Sequence, residues 1–576
     1  MDDTVMDDSV RALINAAKAW RAQDPDEETR TELDALIADA EAGSASALTD
    51  LHSRFDARLE FGTAGLRGAL AAGSNRMNRV LVSQAAAGFA AFLLERESAP
   101  SVVIGYDGRK NSRVFALDTA ELMAGAGVRA ILLPRLMPTP VLAFAVRRLG
   151  VSAGVMVTAS HNPPNDNGYK VYLGGADEGS QIVSPADAAI EGHILHVATT
   201  QHVPDLPRST DYETAGEDLL DEYVKQTVAL VEPPKTAPRF VYTAMHGVGW
   251  ETAKRVFADA GFGEPVVVPE QIEPDAAFPT VSFPNPEEPG ALDLAFRTAT
   301  AAHVDLIIAN DPDADRLAVA VPDGSDGWRR LTGNEVGWLL GWRAADRLSR
   351  EGEAVAALGG DVACSVAGNL AASLVSSPAL AKVAQHYRVD YVETLTGFKW
   401  VSRVPNLVFG YEEALGYLVD PLKVRDKDGI SAALEFLSMF AELATNGRSF
   451  EDLEHEFAAT FGAFASLQMS VRVEDLADIP QIMSRIRANP PTHMGEIAVT
   501  SIDDFANGFG DFAPSDILRM HLADGSRVIV RPSGTEPKVK VYLDTSNTDG
   551  TPAERISAAQ QTIDTLEVSV KELLTL

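Results

Sequence analysis

The hydrophobic pattern of this chain changes character twice. Over residues 1–60 apolar positions recur at helical spacing, through VRALINAAKAW and then ETRTELDALIADAEAG, with Gly43 placed to stop the second run. This segment reads as a helical extension that packs onto the neighbouring domain. After residue 60, short apolar runs alternate with loops and helical patterns: SVVIGYD (101–107), RAILLP (129–134), AGVMVT (153–158), RFVYTAM (239–245), DLIIAN (305–310) and NLVFGY (406–411). The runs are continuous, as in strands covered by helices on both faces, and they predict an α/β protein. From about residue 466 the pattern changes again. LQMSVRV, EIAVTSI, SRVIVRP and KVKVYLDT alternate apolar and polar positions, which predicts shorter strands in a half-exposed antiparallel sheet.

Two stretches read as breaks, the Pro-rich LVEPPKTAPR (230–239) and the polar SREGEA (349–354). A chain of 576 residues at about 150 residues per domain suggests roughly four domains. The expected division is a helical extension over 1–60, related α/β domains over 61–235, 236–350 and 351–465, and a smaller α+β domain over 466–576.

Charge narrows the possible partners. The chain carries 49 Lys and Arg against 82 Asp and Glu, a net charge of −33, which repels nucleic acid and anionic lipid and leaves room only for a local basic pocket. A single cysteine, Cys364, excludes an internal disulfide framework and zinc sites built on paired thiolates. The opening MDDTVMDDSV has the wrong charge for a targeting leader, and no run approaches the ~18 apolar residues of a membrane span. The expectation is a cytoplasmic protein with no nucleic-acid or membrane partner.

Four loops carry chemistry. TASHNPPNDNGYKVY (158–172) follows a strand and crowds His161, Asn162 and Lys170 around the Ser160 hydroxyl, at the strand end where α/β sheets place ligands. NDPDADR (310–316) sets Asp311, Asp313 and Asp315 in alternation. Three carboxylates so close repel one another unless a cation joins them, and hard oxygen ligands with room for phosphate suit Mg²⁺. Arg316 adjoins them and can take a phosphate oxygen. FGYEEALGYLVD (409–420) places Glu412 and Glu413 side by side, one of them able to grip sugar hydroxyls, with a helix start as the plainer alternative. PLKVRDKDG behind it adds Lys423, Arg425 and Lys427. VIVRPSGTEPKVKVY (528–542) offers Arg531, Ser533, Gly534 and Thr535, a phosphate cradle in composition. FGTAGLRG (61–68), with Arg67, and LTGFKW (395–400), with Lys399, are weaker signals of the same kind.

In this order, the loops resemble those of the α-D-phosphohexomutase superfamily. TASHNP, DPDADR and RPSGTEP carry the resemblance, which covers the chain from FGTAGLRG to RPSGTEPK. It implies three related α/β domains with mixed sheets covered by helices, plus a smaller C-terminal α+β domain closing a central cleft. It also implies a phosphoserine at Ser160 and one Mg²⁺ held by Asp311, Asp313, Asp315 and an oxygen on Ser160. Glu412 would read sugar hydroxyls. Arg531, Ser533, Gly534 and Thr535 would hold the substrate's non-reacting phosphate, with Arg316 and Lys427 also on the substrate. Lys170, Lys399 and His161 are candidates for proton transfer or phosphate contact, and Arg67 and His161 would surround the reacting phosphate.

The implied reaction moves a phosphoryl group between the 1- and 6-positions of glucose or mannose phosphate, with a sugar bisphosphate as intermediate and activator. The protein would act as a monomer or homodimer. One departure stands out. The best-known phosphoglucomutases have Gly-Glu-x-Ser at the sugar loop, and this chain has Tyr411-Glu412-Glu413-Ala414. Ala414 cannot hydrogen-bond through its side chain, so a phosphopentomutase stays an alternative, as does a sugar-bisphosphate synthase and, more distantly, a metal-dependent phosphatase.

Overall fold

A computed structural model describes residues 8–574 apart from 64, 325–326, 358–367, 473–477 and 533–537. Cys364 lies outside the described residues. Three helices open the chain: Asp8–Gln23, Glu27–Glu41 and Ala45–Phe55. Gly43 does end the second, in the left-handed region at φ 87°. The third helix starts at once behind it, capped by Ser44 accepting the Ala47 amide. Leu13, Ile14, Leu33, Ile37 and Leu51 pack onto Ala86, Leu122, Val197 and Val203, so the extension shares a core with the first α/β layer.

Four sheets make up the remainder. The first contains β1 (Leu66–Ala69), β2 (Ser101–Tyr106), β3 (Arg129–Leu132), β4 (Ala153–Val157), β5 (Asp166–Leu173), β6 (Ser180–Gln181) and β7 (Glu213–Thr214). Its order is β1-β5-β4-β2-β3-β7, with β6 beside β5. The pairs β4–β2, β2–β3 and β3–β7 are parallel, whereas β5 runs antiparallel to both β1 and β4. The second sheet runs β12-β11-β10-β8-β9, from β8 (Phe240–Thr243), β9 (Val266–Val267), β10 (Leu306–Asn310), β11 (Leu317–Asp323) and β12 (Gly327–Arg330). Again β10 is parallel to β8 and antiparallel to β11.

The third sheet, β14-β13-β15-β16, repeats this plan with β13 (Asn369–Ser373), β14 (Asp390–Thr394), β15 (Leu407–Glu412) and β16 (Gly416–Leu418). Here β13 is parallel to β14 and β15, and β15–β16 is the antiparallel pair. All six apolar runs are strands within two residues of their expected bounds. The buried, helix-covered sheets explain why those runs show no alternation.

SREGEA is not a break. One helix, Gly333–Ala357, runs through it, because its Arg, Glu and Ala are strong helix formers that outweigh one interior glycine.

The fourth sheet is antiparallel, in the order β17-β22-β21-β20-β19-β18: β17 (Ala463–Arg472), β18 (His493–Met494), β19 (Ile497–Asp504), β20 (Leu518–Leu522), β21 (Arg527–Pro532) and β22 (Lys538–Asn547). Not all of its strands are short, since β17 and β22 have 10 residues each. Nor is its second face simply solvated. Val528, Val530, Val541 and Leu543 pack under the helices Asp478–Ala488 and Pro552–Leu574. Ile529 and Tyr542, one step out of phase, are buried against Leu374 and Val375.

The chain divides into two compact units. One is Met1–Arg329 with Asp420–Glu435, and the other is Arg330–Val419 with Phe436–Leu576. The segment Asp420–Glu435 is fastened into the first unit by buried polar groups. Tyr172 and Gln181 both donate to Asp426 Oδ2 at 2.8 Å, and Tyr223 donates to Asp428 Oδ1 at 2.8 Å. No helix among the described residues is long and apolar enough to cross a membrane.

Candidate active site

The chemistry-bearing loops share one local device. Three of the four loops lie at the tips of antiparallel hairpins, β4–β5, β10–β11 and β15–β16, and the fourth falls between the antiparallel strands β21 and β22. One strand delivers the chain to its carboxyl end, and the antiparallel return can carry a second functional side chain back.

In the first unit, Ser160 sits at the β4–β5 tip with φ 51°, left-handed and unusual for a side chain with a Cβ. It is buried. Its hydroxyl donates to Asp311 Oδ2 at 2.7 Å, and His161 Nδ1 lies 3.2 Å from the same hydroxyl oxygen. Its amide donates to Thr158 Oγ1 at 2.9 Å. Asp311, Asp313 and Asp315, all buried, occupy the β10–β11 tip, and a carboxylate oxygen from each lies within 4.8 Å of the others.

Lys170, on the returning strand β5, reaches Asp313 Oδ2 at 2.7 Å and Asp315 Oδ2 at 2.8 Å. Lys427 adds a cation 3.3 Å from Asp315 Oδ2. Arg316 donates its amide to Asp311 Oδ1 at 3.0 Å, and Arg67 donates to Asn162 Oδ1 at 3.1 Å. Arg67 lies just beyond Gly65, whose φ of 74° and contact with the Tyr169 carbonyl leave no space for a Cβ.

Electrostatics reflect this crowding. Burial and the neighbouring Asp313 and Asp315 push the Asp311 carboxyl well above the usual range. Asp315 is held below it, its burial outweighed by Lys170, Lys427 and Arg316. The two carboxylates likewise keep Lys170 protonated against its burial. His161 is held well below its ordinary value, by burial first and then by Arg316 and Arg67.

Sequence reasoning missed Arg109. This buried guanidinium donates to the carbonyls of Ser160 and Asn162 at 2.6 Å, of Pro163 at 2.8 Å and of Asp166 at 3.1 Å, and its face lies 4.9 Å from the Phe278 ring centre. Thr139 was missed as well. Its hydroxyl donates to Asp313 Oδ2 at 2.5 Å and its amide to the Asp313 carbonyl at 2.9 Å. The only sequence signal for Arg109 is its place in YDGR, at the carboxyl end of β2.

The basic cluster after residue 420 divides. Only Lys427 reaches the aspartates. Lys423 is buried on Asp428 and Thr227, and Arg425 pairs with Glu178.

The second unit brings three nominated segments together. Glu412 ends β15 rather than lying beyond it, and its Oε1 accepts the Gly397 amide at 2.6 Å. Arg531, at the end of β21, donates Nη1 to Thr396 Oγ1 at 3.2 Å. Thr396 and Gly397 lead into the short helix Phe398–Val401, not a loop, that carries Lys399, whose ammonium lies 6.0 Å from the Trp400 ring centre. Ser533, Gly534 and Thr535 lie outside the described residues. Glu413 points away from Glu412 and is buried.

Four family models match in sequence order: phosphoglucomutase/phosphomannomutase α/β/α domain I over 58–201, domain II over 221–324, domain III over 340–461 and the C-terminal domain over 469–556. A protein of Haemophilus influenzae named "Probable phosphomannomutase" is 53% identical over 482 residues, covering 84% of this chain and 96% of that protein. The chain belongs to the phosphoglucomutase/phosphomannomutase family. It is thus a member of the α-D-phosphohexomutase superfamily, an isomerase of the intramolecular phosphotransferase type. Within this family, human phosphopentomutase is 34% identical over 544 residues, 86% of each chain. The fold is shared with a crystal structure of a phosphoglucomutase/phosphomannomutase family protein from Burkholderia thailandensis, at a TM-score of 0.65 and 20% identity over 90% of this chain and 98% of that one.

Proposed function

We propose that this chain moves a phosphoryl group between the 1- and 6-positions of an aldohexose phosphate, glucose or mannose, through a phosphoserine at Ser160 and a sugar 1,6-bisphosphate. The observation that carries the reading is the buried Ser160 hydroxyl, 2.7 Å from Asp311, beside aspartates paired with Lys170 and Lys427 and beside His161, whose neighbours are Arg316 and Arg67. A free serine is a weak nucleophile near neutral pH, and a resting phosphoserine avoids activating it at each turnover. Phosphoryl transfer then demands alignment and charge neutralisation more than covalent chemistry.

Magnesium suits the aspartate loop. Its donors are hard carboxylate oxygens, and two of them, Asp313 Oδ1 and Asp315 Oδ1, are buried with no hydrogen-bond partner. Asp311, Asp313 and Asp315 would hold the ion, which would neutralise the charge of the phosphoryl group in transfer.

The chain's own residues do the rest. Lys170 is a fixed cation, tied to two carboxylates. His161 Nδ1 is the group placed to exchange the proton of the serine oxygen. Arg67 and Arg316 would take phosphoryl oxygens, with Lys427 beside them. Glu412 would accept sugar hydroxyls, while Arg531, with Ser533, Gly534 and Thr535, would grip the phosphate that is not reacting. Lys399 would contact the substrate from the same loop cluster. The Ser160 oxygen–phosphorus bond breaks as the sugar oxygen–phosphorus bond forms, the sugar hydroxyl's proton passing by way of His161 to the serine oxygen, and the reverse transfer from the other end of the bisphosphate restores the phosphoserine.

A pentose phosphate is the second reading. It is favoured by Ala414 at the sugar loop and by the 34% identity to human phosphopentomutase, whereas the 53% identity to "Probable phosphomannomutase" favours hexose. Phosphorus NMR decides. The protein is given Mg²⁺, a trace of glucose 1,6-bisphosphate, and glucose 1-phosphate with ribose 1-phosphate in equal amounts. The expected result is faster formation of glucose 6-phosphate. Faster formation of ribose 5-phosphate would replace hexose by pentose, and inorganic phosphate without either product would overturn the mutase reading.

A further inference from the structure

Two adjacent glutamates close the β15 hairpin, and only Glu412 faces the cluster assigned to substrate. Glu413 is turned into the second unit's interior. Its Oε2 lies 3.1 Å from the Ser373 hydroxyl and 3.2 Å from that of Ser376, and its amide donates to Ser376 Oγ at 3.1 Å. Its charge also bears on the hydroxyl of Tyr542, a buried residue of β22. That same hydroxyl accepts Arg531 Nε at 3.3 Å and Nη2 at 3.2 Å.

We infer that Tyr542, backed by the buried charge of Glu413, is a positioning residue that orients Arg531 for the substrate's non-reacting phosphate. Chemistry gives the direction of these contacts. A guanidinium can only donate and a carboxylate can only accept. The phenolic oxygen of Tyr542 therefore accepts from Arg531, and its single proton is left to turn toward the Glu413 charge. With Thr396 accepting Nη1 on the other side, contacts on both sides fix the plane of the fork.

Glu413 is itself anchored. Ser373 ends β13 and Ser376 lies three residues on, so the serines near Glu413 are part of the sheet framework. Tyr542 is paired with Ile529 across β21–β22, and both side chains pack on Leu374 and Val375. Removing the phenolic hydroxyl alone would free Arg531 from two contacts without opening a cavity. Charge-assisted hydrogen bonds are stronger than neutral ones, so loss of this orientation is expected to weaken phosphate binding about tenfold.

This inference rests on the proposed role of Arg531, and the test separates the two. Glucose 1-phosphate, mannose 1-phosphate and ribose 1-phosphate are titrated calorimetrically into Ser160→Ala protein, with and without Tyr542→Phe or Glu413→Gln. KM and kcat are measured in the Ser160 background. Expected are a roughly tenfold rise in Kd and KM for the preferred sugar phosphate with either substitution, kcat within about twofold, and a double variant no worse than the single ones. Phosphoserine hydrolysis in the absence of sugar should not change. If the parent protein binds sugar phosphate and Tyr542→Phe leaves Kd and KM unchanged, or if the two effects add, the positioning role fails and the mutase reading stands. If no sugar phosphate binds the parent protein, both fall. Glu413→Gln guards against a packing effect of the phenylalanine, because it disturbs the same arrangement from the other side.

Discussion

Ser160 holds a left-handed backbone that costs a side-chain-bearing residue on the order of 1–2 kcal/mol. Arg109 opposes that cost by binding four carbonyls of the same loop. Arg109→Lys should keep the charge and lose the fork. We expect kcat to fall about a hundredfold, the scale of a misplaced reacting group, with KM within about threefold. Steady-state kinetics with glucose 1-phosphate check this, and an unchanged kcat would show that the loop holds itself. This is also where sequence reading reached its limit. Ser160 and the three aspartates could be nominated from residue type and spacing alone, and the structure brings them together. Arg109 acts on backbone carbonyls contributed by residues 160–166, and no residue type near it reveals that partner. Glu412 and Glu413 look alike in sequence, and only the strand pleat separates the half-buried one from the buried one.

At the level of elements, continuous apolar runs foretold the strands because both faces of three sheets are covered. The same logic failed over 349–354. Arg350 and Glu351 there lie on the exposed side of a long helix, and polarity alone does not distinguish a helix surface from a loop. Alternation foretold the antiparallel fourth sheet, yet Ile529 and Tyr542 show that its second face is also used. The N-terminal helices are a separate case, with their core joined to the first layer through Leu51 and its neighbours. Leu51→Ala should lower stability by about 2–5 kcal/mol, read from urea unfolding monitored by circular dichroism, while leaving KM unchanged at temperatures where the fold persists. A change in KM would give the extension a part in the chemistry.

At the scale of the whole molecule, three buried aspartates in a chain of net charge −33 would tie a bound divalent metal to stability as well as to the proposed activity. Chelation by EDTA should abolish mutase activity and Mg²⁺ should restore it. Mg²⁺ should also raise the thermal midpoint, because ions that bind only the folded state stabilise it by mass action. Asp313→Asn together with Asp315→Asn should remove that rise, and a rise that survives would place the metal elsewhere.

The return of Asp420–Glu435 to the first unit has a consequence for biogenesis. A chain released at Arg329 would leave Tyr172 and Tyr223 as buried hydroxyls deprived of Asp426 and Asp428, and Asp315 without Lys427. Such a truncation should show the hydrogen-exchange protection of β5 lost, with protection regained when residues 420–435 are supplied as a peptide. On the ribosome, the first unit must therefore wait, unfinished, while all of Arg330–Val419 is made, and its completion is timed by the synthesis of the very domain that comes after it.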